Sequence, residues 1–216
     1  RRRQADAALI YLLQIDYPRF LAARVGRSAQ WAEALEGLIF KTVSKLDDKV
    51  TGGIARYGND SYQRQGFFRY LTVAKLQKLY GAPSGDASSH FVGRDKVVPR
   101  GRKAAWTHFV WQLAAWAGRR YLRTRELKDK AMHDRFFRRG MSLITGDRET
   151  SIDWDASGKA RILSIHPYRM PECYISDKLP GGDVAIFPSP HTPLNWAVGE
   201  MFDAFQIRRQ VLASPT

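Results

Sequence analysis

Apolar side chains recur three and four positions apart along much of the chain, which is the spacing that places them on one face of an α-helix. Between residues 28 and 45, for example, Trp31, Leu35 and Ile39 share such a face, and Ser28 can cap the first turn. The pattern predicts six helices, over residues 5–13, 28–45, 67–80, 103–124, 126–140 and 194–209.

The connections between these helices are long and irregular. Residues 82–102 are rich in Gly, Ser, Pro and charge, and residues 164–193 are rich in Pro. The only β-structure that the pattern suggests is a short strand or hairpin after Gly158. Strands and helices do not alternate as a parallel sheet would require. The chain is therefore predicted to be all-α, with six to seven helices joined by irregular loops.

The composition is that of a folded, strongly basic protein. The 216 residues are 44% hydrophobic, which suffices for one large domain or two small ones. There are 35 Lys and Arg against 21 Asp and Glu, so the net charge is +14. This surplus is typical either of a protein with anionic partners or of one part of a larger, more neutral protein. No run of about 18 apolar residues occurs, so no membrane span is predicted.

Neither a metal nor another cofactor is predicted. The single cysteine, Cys173, excludes an internal disulfide and a Cys-based zinc site, and it favours the cytoplasm as the compartment. His166 and His191 stand alone, without carboxylates at the spacing of metal ligands. Gly52-Gly53 is a turn without the further glycines of a phosphate-binding loop.

Three of the loops combine aromatic residues, Pro or Gly, and one or two charges. Such mixtures suit a sugar, because its apolar faces pack on aromatic rings while its hydroxyls bond to carboxylates, amides and Arg. The alternative is that the aromatic residues close the ends of a helical core. The three loops are residues 56–62, 171–174 and 191–196.

In their order along the chain these loops resemble the glucoamylase-type glycoside hydrolases, family 15. Arg56-Tyr57 with Asp60 and Tyr62 is similar to the family's loop of an arginine and an aromatic residue followed by Asp and Tyr. Pro171-Glu172-Cys173-Tyr174 is similar to its Pro-Glu-hydrophobic-Tyr motif.

Further segments extend the resemblance along nearly the whole chain. Residues 191–197 resemble the motif that opens the last barrel helix. Residues 103–121 resemble a bacterial branch close to the regulatory-subunit domain of phosphorylase kinase, although Lys103 and Cys173 depart from the residues of that branch. The resemblance implies an (α/α)6 toroid, a six-hairpin ring whose inner helices surround the site. It also implies that residues 1–216 are a single domain, the C-terminal part of the toroid, lacking the N-terminal half.

The resemblance implies the inverting hydrolysis of an α-linked glucoside. That reaction needs two carboxyl groups about 6.5–9.5 Å apart, with a water between the base and the sugar. Glu172 matches the family's general base, and the matching general acid is expected outside this chain. The alternative for Glu172 is a loop carboxylate that caps a helix or pairs with Arg169. Glu33 and Glu36 are interpreted as surface or packing charges.

The resemblance also implies a set of sugar-binding residues. Arg56 can donate a fork of hydrogen bonds to two hydroxyls, or it can form a structural pair with Asp60. His108 is expected either at the rim of the site or partly buried in its helix, and Trp196 is expected to anchor the last helix. The residues assigned to substrate binding are Arg56, Tyr57, Asp60, Tyr62, Trp106, His108 and Tyr174.

Two other functions stay open. The first is a non-catalytic carbohydrate-binding or regulatory module of the phosphorylase kinase type, which would bind an oligosaccharide or glucoside and join a missing N-terminal half or a second subunit. The second is nucleic-acid binding, which no zinc-finger, helix-turn-helix or RNA-binding sheet signature supports. It would need a basic face formed by Arg119, Arg120, Arg123, Arg125, Arg135, Arg138 and Arg139.

Overall fold

Helices dominate the part of the chain that the computed structural model describes, which comprises residues 5–58, 103–154, 160–178 and 184–214. None of the helices in these ranges is long and apolar enough to cross a membrane. The helices are α1 (Leu9–Gln14), α2 (Tyr17–Arg24), α3 (Ala29–Val43), a short 3-10 helix (Ser44–Leu46), α4 (His108–Thr124), α5 (Leu127–Met141) and α6 (Asn195–Ala213). The strands are β1 (Lys103–Trp106), β2 (Thr150–Trp154), β3 (Ala160–Ser164), β4 (Cys173–Lys178) and β5 (Val184–Pro188).

Helical periodicity locates the long helices well. The prediction for residues 28–45 is confirmed by α3, and Ser28 caps it by accepting a hydrogen bond from the backbone N–H of Trp31 at 3.3 Å. The predictions for residues 126–140 and 194–209 are confirmed by α5 and α6, and α6 continues to Ala213. The helix predicted over residues 67–80 lies outside the described residues.

Two segments differ from the predicted helices, each for a local reason. Helix α2 was not predicted; Pro18 lies in its first turn, where the fixed φ of proline suits a helix. Asp16, with a φ of 55°, separates α2 from α1. The helix predicted over residues 103–124 is wrong in its first turn, because Lys103–Trp106 pairs as a strand and α4 begins only at His108.

The described structure is mostly helical but not all-α, because it contains two small antiparallel sheets. The first has the strand order β1-β4-β5, and Trp106 pairs with Cys173 in its register. Strands β4 and β5 fall in the segment that was expected to be an irregular loop, since the proline-rich flanks obscured two short runs of β-forming residues. The second sheet is the β2-β3 hairpin, which confirms the strand expected after Gly158.

Helix α4 forms the centre of the core. Twelve of its 17 residues are buried, so it has no broad polar face and must be covered by neighbouring elements. Two glycines let those neighbours approach closely. A Cβ on Gly140 of α5 would lie 2.8 Å from the ring of Trp111, and one on Gly118 would overlap Ile207 of α6. Any side chain at these positions would push the helices apart.

Helices α4 and α6 run in the same direction, so their N-terminal ends meet at one end of the fold. Helix α1 follows this direction, because Tyr11 contacts Phe109 and Gln14 bonds to Glu200 farther along. The residues of α4 and α6 that contact each other follow the same order along both helices: His108 with Trp196, Gln112 with Glu200, and Arg119 with Asp203.

Helices α3 and α5 run opposite to α4. Phe40 of α3 packs on Trp116, with 5.2 Å between ring centroids. One turn earlier in α3, Glu36 binds Arg120, which lies one turn later in α4. Helix α5 follows α4 after a two-residue connection and returns along it. The central helix is therefore flanked by antiparallel neighbours on two sides and by parallel ones on the others.

A buried carboxylate joins α3 to α4. The side chain of Glu36 is only 1% exposed, and its oxygens lie 2.7 Å from Arg120 Nη1 and 3.0 Å from Arg123 Nη2. Arg120 also binds Asp129 of α5 at 3.0 Å. Because each of these partners is itself hydrogen-bonded, the ion pairs offset the cost of removing the charges from water. Glu36 is thus a packing charge, one of the two roles expected for it.

We expect Glu36→Gln to lower the free energy of unfolding by about 3 kcal/mol, because it removes the buried negative charge that the partly buried guanidinium groups of Arg120 and Arg123 bind. Urea denaturation at pH 7 measures this loss. Glu33→Gln in the same helix is the matched control, since Glu33 is 43% exposed and its ion pair with Arg19, at 3.6 Å, lies at the surface. The control should change the stability by less than about 0.5 kcal/mol. Equal losses of unfolding free energy in the two variants would show that the burial of Glu36 adds nothing to the stability.

Candidate functional site

Five side chains meet where α4 and α6 begin, and we call them the aromatic–arginine cluster: Arg56, Tyr57, Trp106, His108 and Trp196. The guanidinium carbon of Arg56 lies 4.6 Å from the ring centroid of Trp106 and 5.5 Å from that of Tyr57. These distances are those of cation–π contacts. Four of the residues assigned to sugar binding from the sequence therefore come together, although they lie up to 52 positions apart in the chain (108 minus 56).

Backbone pairing fixes the position of Arg56. Ile54 forms an antiparallel bridge with Trp106, with N–H to O distances of 3.1 and 2.8 Å. The carbonyl of Arg56 accepts a hydrogen bond of 2.7 Å from Ala7, and Tyr57 bridges to Asp6. The segment before α1 and the strand before α4 thus hold the loop from both sides.

His108 lies at the centre of the cluster. Its ring stacks on Trp196 at 5.0 Å and meets Trp106 edge-on at 5.4 Å. The residue is 1% exposed, and neither ring nitrogen has a hydrogen-bond partner among the described residues. Burial, and secondarily the positive charge of Arg56, lowers the pKa of His108 to about 3. The imidazole is therefore neutral at ordinary pH, and it carries one donor and one acceptor nitrogen.

Backbone hydrogen bonds hold Glu172 next to the cluster. Its carbonyl accepts a hydrogen bond from the N–H of Thr107 at 3.3 Å, and its own N–H donates to the carbonyl of His191 at 3.2 Å. Thr107 also donates its hydroxyl to the carbonyl of Pro171 at 2.6 Å. Since Thr107 stands between Trp106 and His108, Glu172 is anchored at the same end of α4. Its side chain is 7% exposed.

Tyr174 lies on a different surface. In the β1-β4 register Trp106 faces Cys173, whereas Tyr174 faces Ala105, and neighbouring positions in a strand point to opposite sides of a sheet. The Tyr174 hydroxyl donates to Glu149 at 3.1 Å. Burial and the charge of Glu149 raise the pKa of Tyr174. The two remaining residues assigned to the site, Asp60 and Tyr62, lie outside the described residues.

Two contacts near the cluster were not foreseen. Trp196, expected to anchor the last helix, does so by stacking on His108, yet it is 54% exposed. One turn further along, Glu200 accepts hydrogen bonds from Gln112 at 2.9 Å and from Gln14 at 2.7 Å. The signal was present in the sequence, because Gln112 and Glu200 each follow a cluster residue by four positions and so share its helix face.

The arginines proposed as a basic face serve other contacts. Four of the seven bind carboxylates, and two more lie over aromatic rings, Arg125 over Tyr121 and Arg135 over Phe136. The positive charge of this region is therefore partly neutralised within the fold. The carboxylate pairs are Arg119 with Asp203, Arg120 and Arg123 with Glu36, and Arg139 with Asp47.

We expect His108→Phe to make the protein more resistant to acid. The pKa of His108 is lower in the folded chain (about 3) than in the unfolded chain (6.5), so between these values the unfolded state binds more protons. Stability is therefore lost as the pH falls through this window, by about 2 kcal/mol between pH 7 and pH 5. Phenylalanine keeps an aromatic ring in the stack and removes this loss.

Urea denaturation of both proteins at pH 7 and pH 5 makes the comparison. Burial also lowers the pKa of His133, but this contribution is common to both proteins and cancels. An equal loss of stability in both would mean that His108 is protonated in the folded state.

Within the described residues, no group of three or more His, Cys, Asp or Glu side chains is placed to hold a metal ion. His191, one of the two isolated histidines, donates its backbone N–H to the Ser189 hydroxyl at 3.1 Å.

Comparison of the chain with protein-family models, with curated proteins and with solved structures finds no match.

Proposed function

We propose that the aromatic–arginine cluster binds an α-linked glucoside and that Glu172 is the general base of its inverting hydrolysis. The observation that carries the proposal is the cation–π contact of Arg56 with Trp106, in the same cluster as the Trp196 ring, which is 54% exposed. A guanidinium group next to an exposed aromatic face suits a ligand with both hydroxyls and apolar faces.

Each member of the cluster has a role in sugar binding. The exposed part of the Trp196 ring offers a surface on which the C–H face of a pyranose can pack. Arg56 offers a fork of donors for two adjacent hydroxyls. The buried imidazole of His108 stacks on Trp196 at 5.0 Å and supports that ring from the inside of the fold. Stacking holds these groups in place before the sugar binds, which reduces the entropy cost of binding.

Glu172 has the features of a base held in a fixed position. A general base must keep its carboxylate within hydrogen-bond reach of the water that attacks the sugar, and rigid backbone anchoring on both sides favours this. An inverting reaction also requires a general acid about 6.5–9.5 Å away. We propose that this acid comes from outside the 216 residues.

The helix directions support a toroid as the setting of this site. In an (α/α)6 toroid the inner helices run parallel to one another and opposite to the outer ones. Helices α1, α4 and α6 share one direction and α3 and α5 share the other, as their side-chain contacts require. We therefore assign the first three to an inner ring and the other two to an outer ring. The cluster then lies at the mouth of the ring.

The burial of Glu172 favours a second candidate function, a carbohydrate-binding module without turnover. A general base must reach a water molecule, and the side chain of Glu172 is only 7% exposed. Binding alone needs the exposed Trp196 and the Arg56 fork, and it makes no demand on Glu172. The two functions differ in whether glucose is released.

We expect Glu172→Gln to lower kcat for glucose release roughly a hundred- to ten-thousandfold, because the amide cannot accept a proton from water. KM should change little, since the variant keeps the size and the backbone anchoring of the residue. The measurement is glucose release from maltose, isomaltose and trehalose by the full-length protein from its native host. Glu126→Gln is the matched control, because Glu126 lies in the α4–α5 connection and pairs with Lys128.

Near-normal turnover in Glu172→Gln would overturn the assignment of the base. If the unmodified protein releases no glucose but binds these sugars, and Trp196→Ala abolishes the binding, the second candidate is the correct one. If it neither binds nor hydrolyses any of them, the cluster is not a glucoside site.

A further inference from the structure

A cavity of about 460 Å³ lies next to Tyr174, apart from the aromatic–arginine cluster. It is formed by the loop before Gly52, the end of α5, the start of β2, and strands β4 and β5. We propose that this cavity binds a phosphorylated monosaccharide. The residues that carry the proposal are Thr51, Leu143, Arg148, Glu149, Tyr174 and Ile186.

A fixed carboxylate provides the hydroxyl-binding side of the cavity. Glu149 Oε1 accepts a hydrogen bond of 2.8 Å from the backbone N–H of Gly146, and Oε2 accepts one of 3.1 Å from the Tyr174 hydroxyl. Tyr174 is itself buried, so the carboxylate is held from inside the fold. A carboxylate has about four acceptor positions, so Glu149 keeps free ones for the hydroxyls of a ligand.

Arg148, the neighbour of Glu149 in the chain, also lines the cavity. It is exposed, and it has neither an ion pair nor a hydrogen bond among the described residues. Most of the arginines on α4 and α5 are already held by carboxylates or aromatic rings. A guanidinium group binds phosphate through paired N–H donors, and the surplus positive charge of the chain attracts anions. Arg148 is therefore suited to the phosphate of a ligand.

The remaining walls complete the fit to a sugar. Leu143 and Ile186 give the cavity an apolar wall, on which the C–H face of a pyranose can pack. Thr51 adds a hydroxyl, which donates to Asp48 at 3.1 Å and accepts from the backbone N–H of Gly53 at 3.3 Å, so it has one further acceptor position. The volume lies in the range of roughly 300–1,000 Å³ that is usual for small-molecule sites. Free phosphate alone would fill little of it and would face the negative charge of Glu149.

Calorimetric titration of the full chain tests the proposal with three probes: glucose 6-phosphate, glucose and inorganic phosphate. We expect glucose 6-phosphate to bind about tenfold more tightly than either of the others, because only it engages both sides of the cavity. Arg148→Gln should remove this tenfold advantage and leave the affinity for glucose unchanged. Arg27→Gln, at an exposed arginine that does not line the cavity, should behave like the unmodified chain.

A second variant tests the cavity itself without changing its charge. Ile186→Trp should block glucose 6-phosphate by filling the cavity, while Arg148 stays in place. The proposal is overturned if the unmodified chain does not bind glucose 6-phosphate, if it binds phosphate equally well, or if Arg148→Gln binds glucose 6-phosphate as before. Because the titration measures no turnover and Arg148 lies outside the aromatic–arginine cluster, its outcome does not depend on the proposed hydrolysis.

Discussion

Helix α4 is buried over most of its length, and the rest of the described structure follows from covering it. Its neighbours approach closely only because Gly118 and Gly140 have no side chains. Its two ends carry the polar groups that the middle cannot accommodate. The last turns carry the arginines that bind Glu36, and the first residue, His108, belongs to the aromatic–arginine cluster. The candidate site is thus an extension of the core, and its rigidity comes from the packing of α4.

Much of the positive charge of the chain belongs to arginines that form ion pairs between elements of the fold. Arginines hold α3 and α6 to α4, and α5 to the loop before Gly53, through carboxylates that the sequence places far away along the chain. Guanidinium groups suit such interfaces, because their planar donors satisfy two oxygens at once. A count of basic residues therefore overstates the charge available to an external partner. Arg148 differs from these arginines, because it lines a cavity and has no ion pair or hydrogen bond with another described residue.

Local signals in the sequence predicted most of the helices and the hairpin after Gly158, but not the three-stranded sheet. The periodicity of α3, α5 and α6 is a property of each segment alone, whereas β1 exists because Trp106 pairs with Ile54 and Cys173, which are distant in the chain. The same limit applies to the site. The motifs grouped Arg56, Trp106 and His108, which do lie near one another in the fold. The separation of Tyr174 from them depends on strand alternation, which required knowing that β4 is a strand.

One loop serves both the cluster and the cavity. Arg139 of α5 donates to the carbonyls of Gly52 and Gly53, and the next residue, Ile54, forms the bridge that aligns Arg56 with Trp106. Thr51, just before this clamp, lines the cavity. Insertion or deletion of a single residue here would shift the bridge register and displace both walls together. The length of this loop is therefore under a stricter constraint than the identity of most of its side chains.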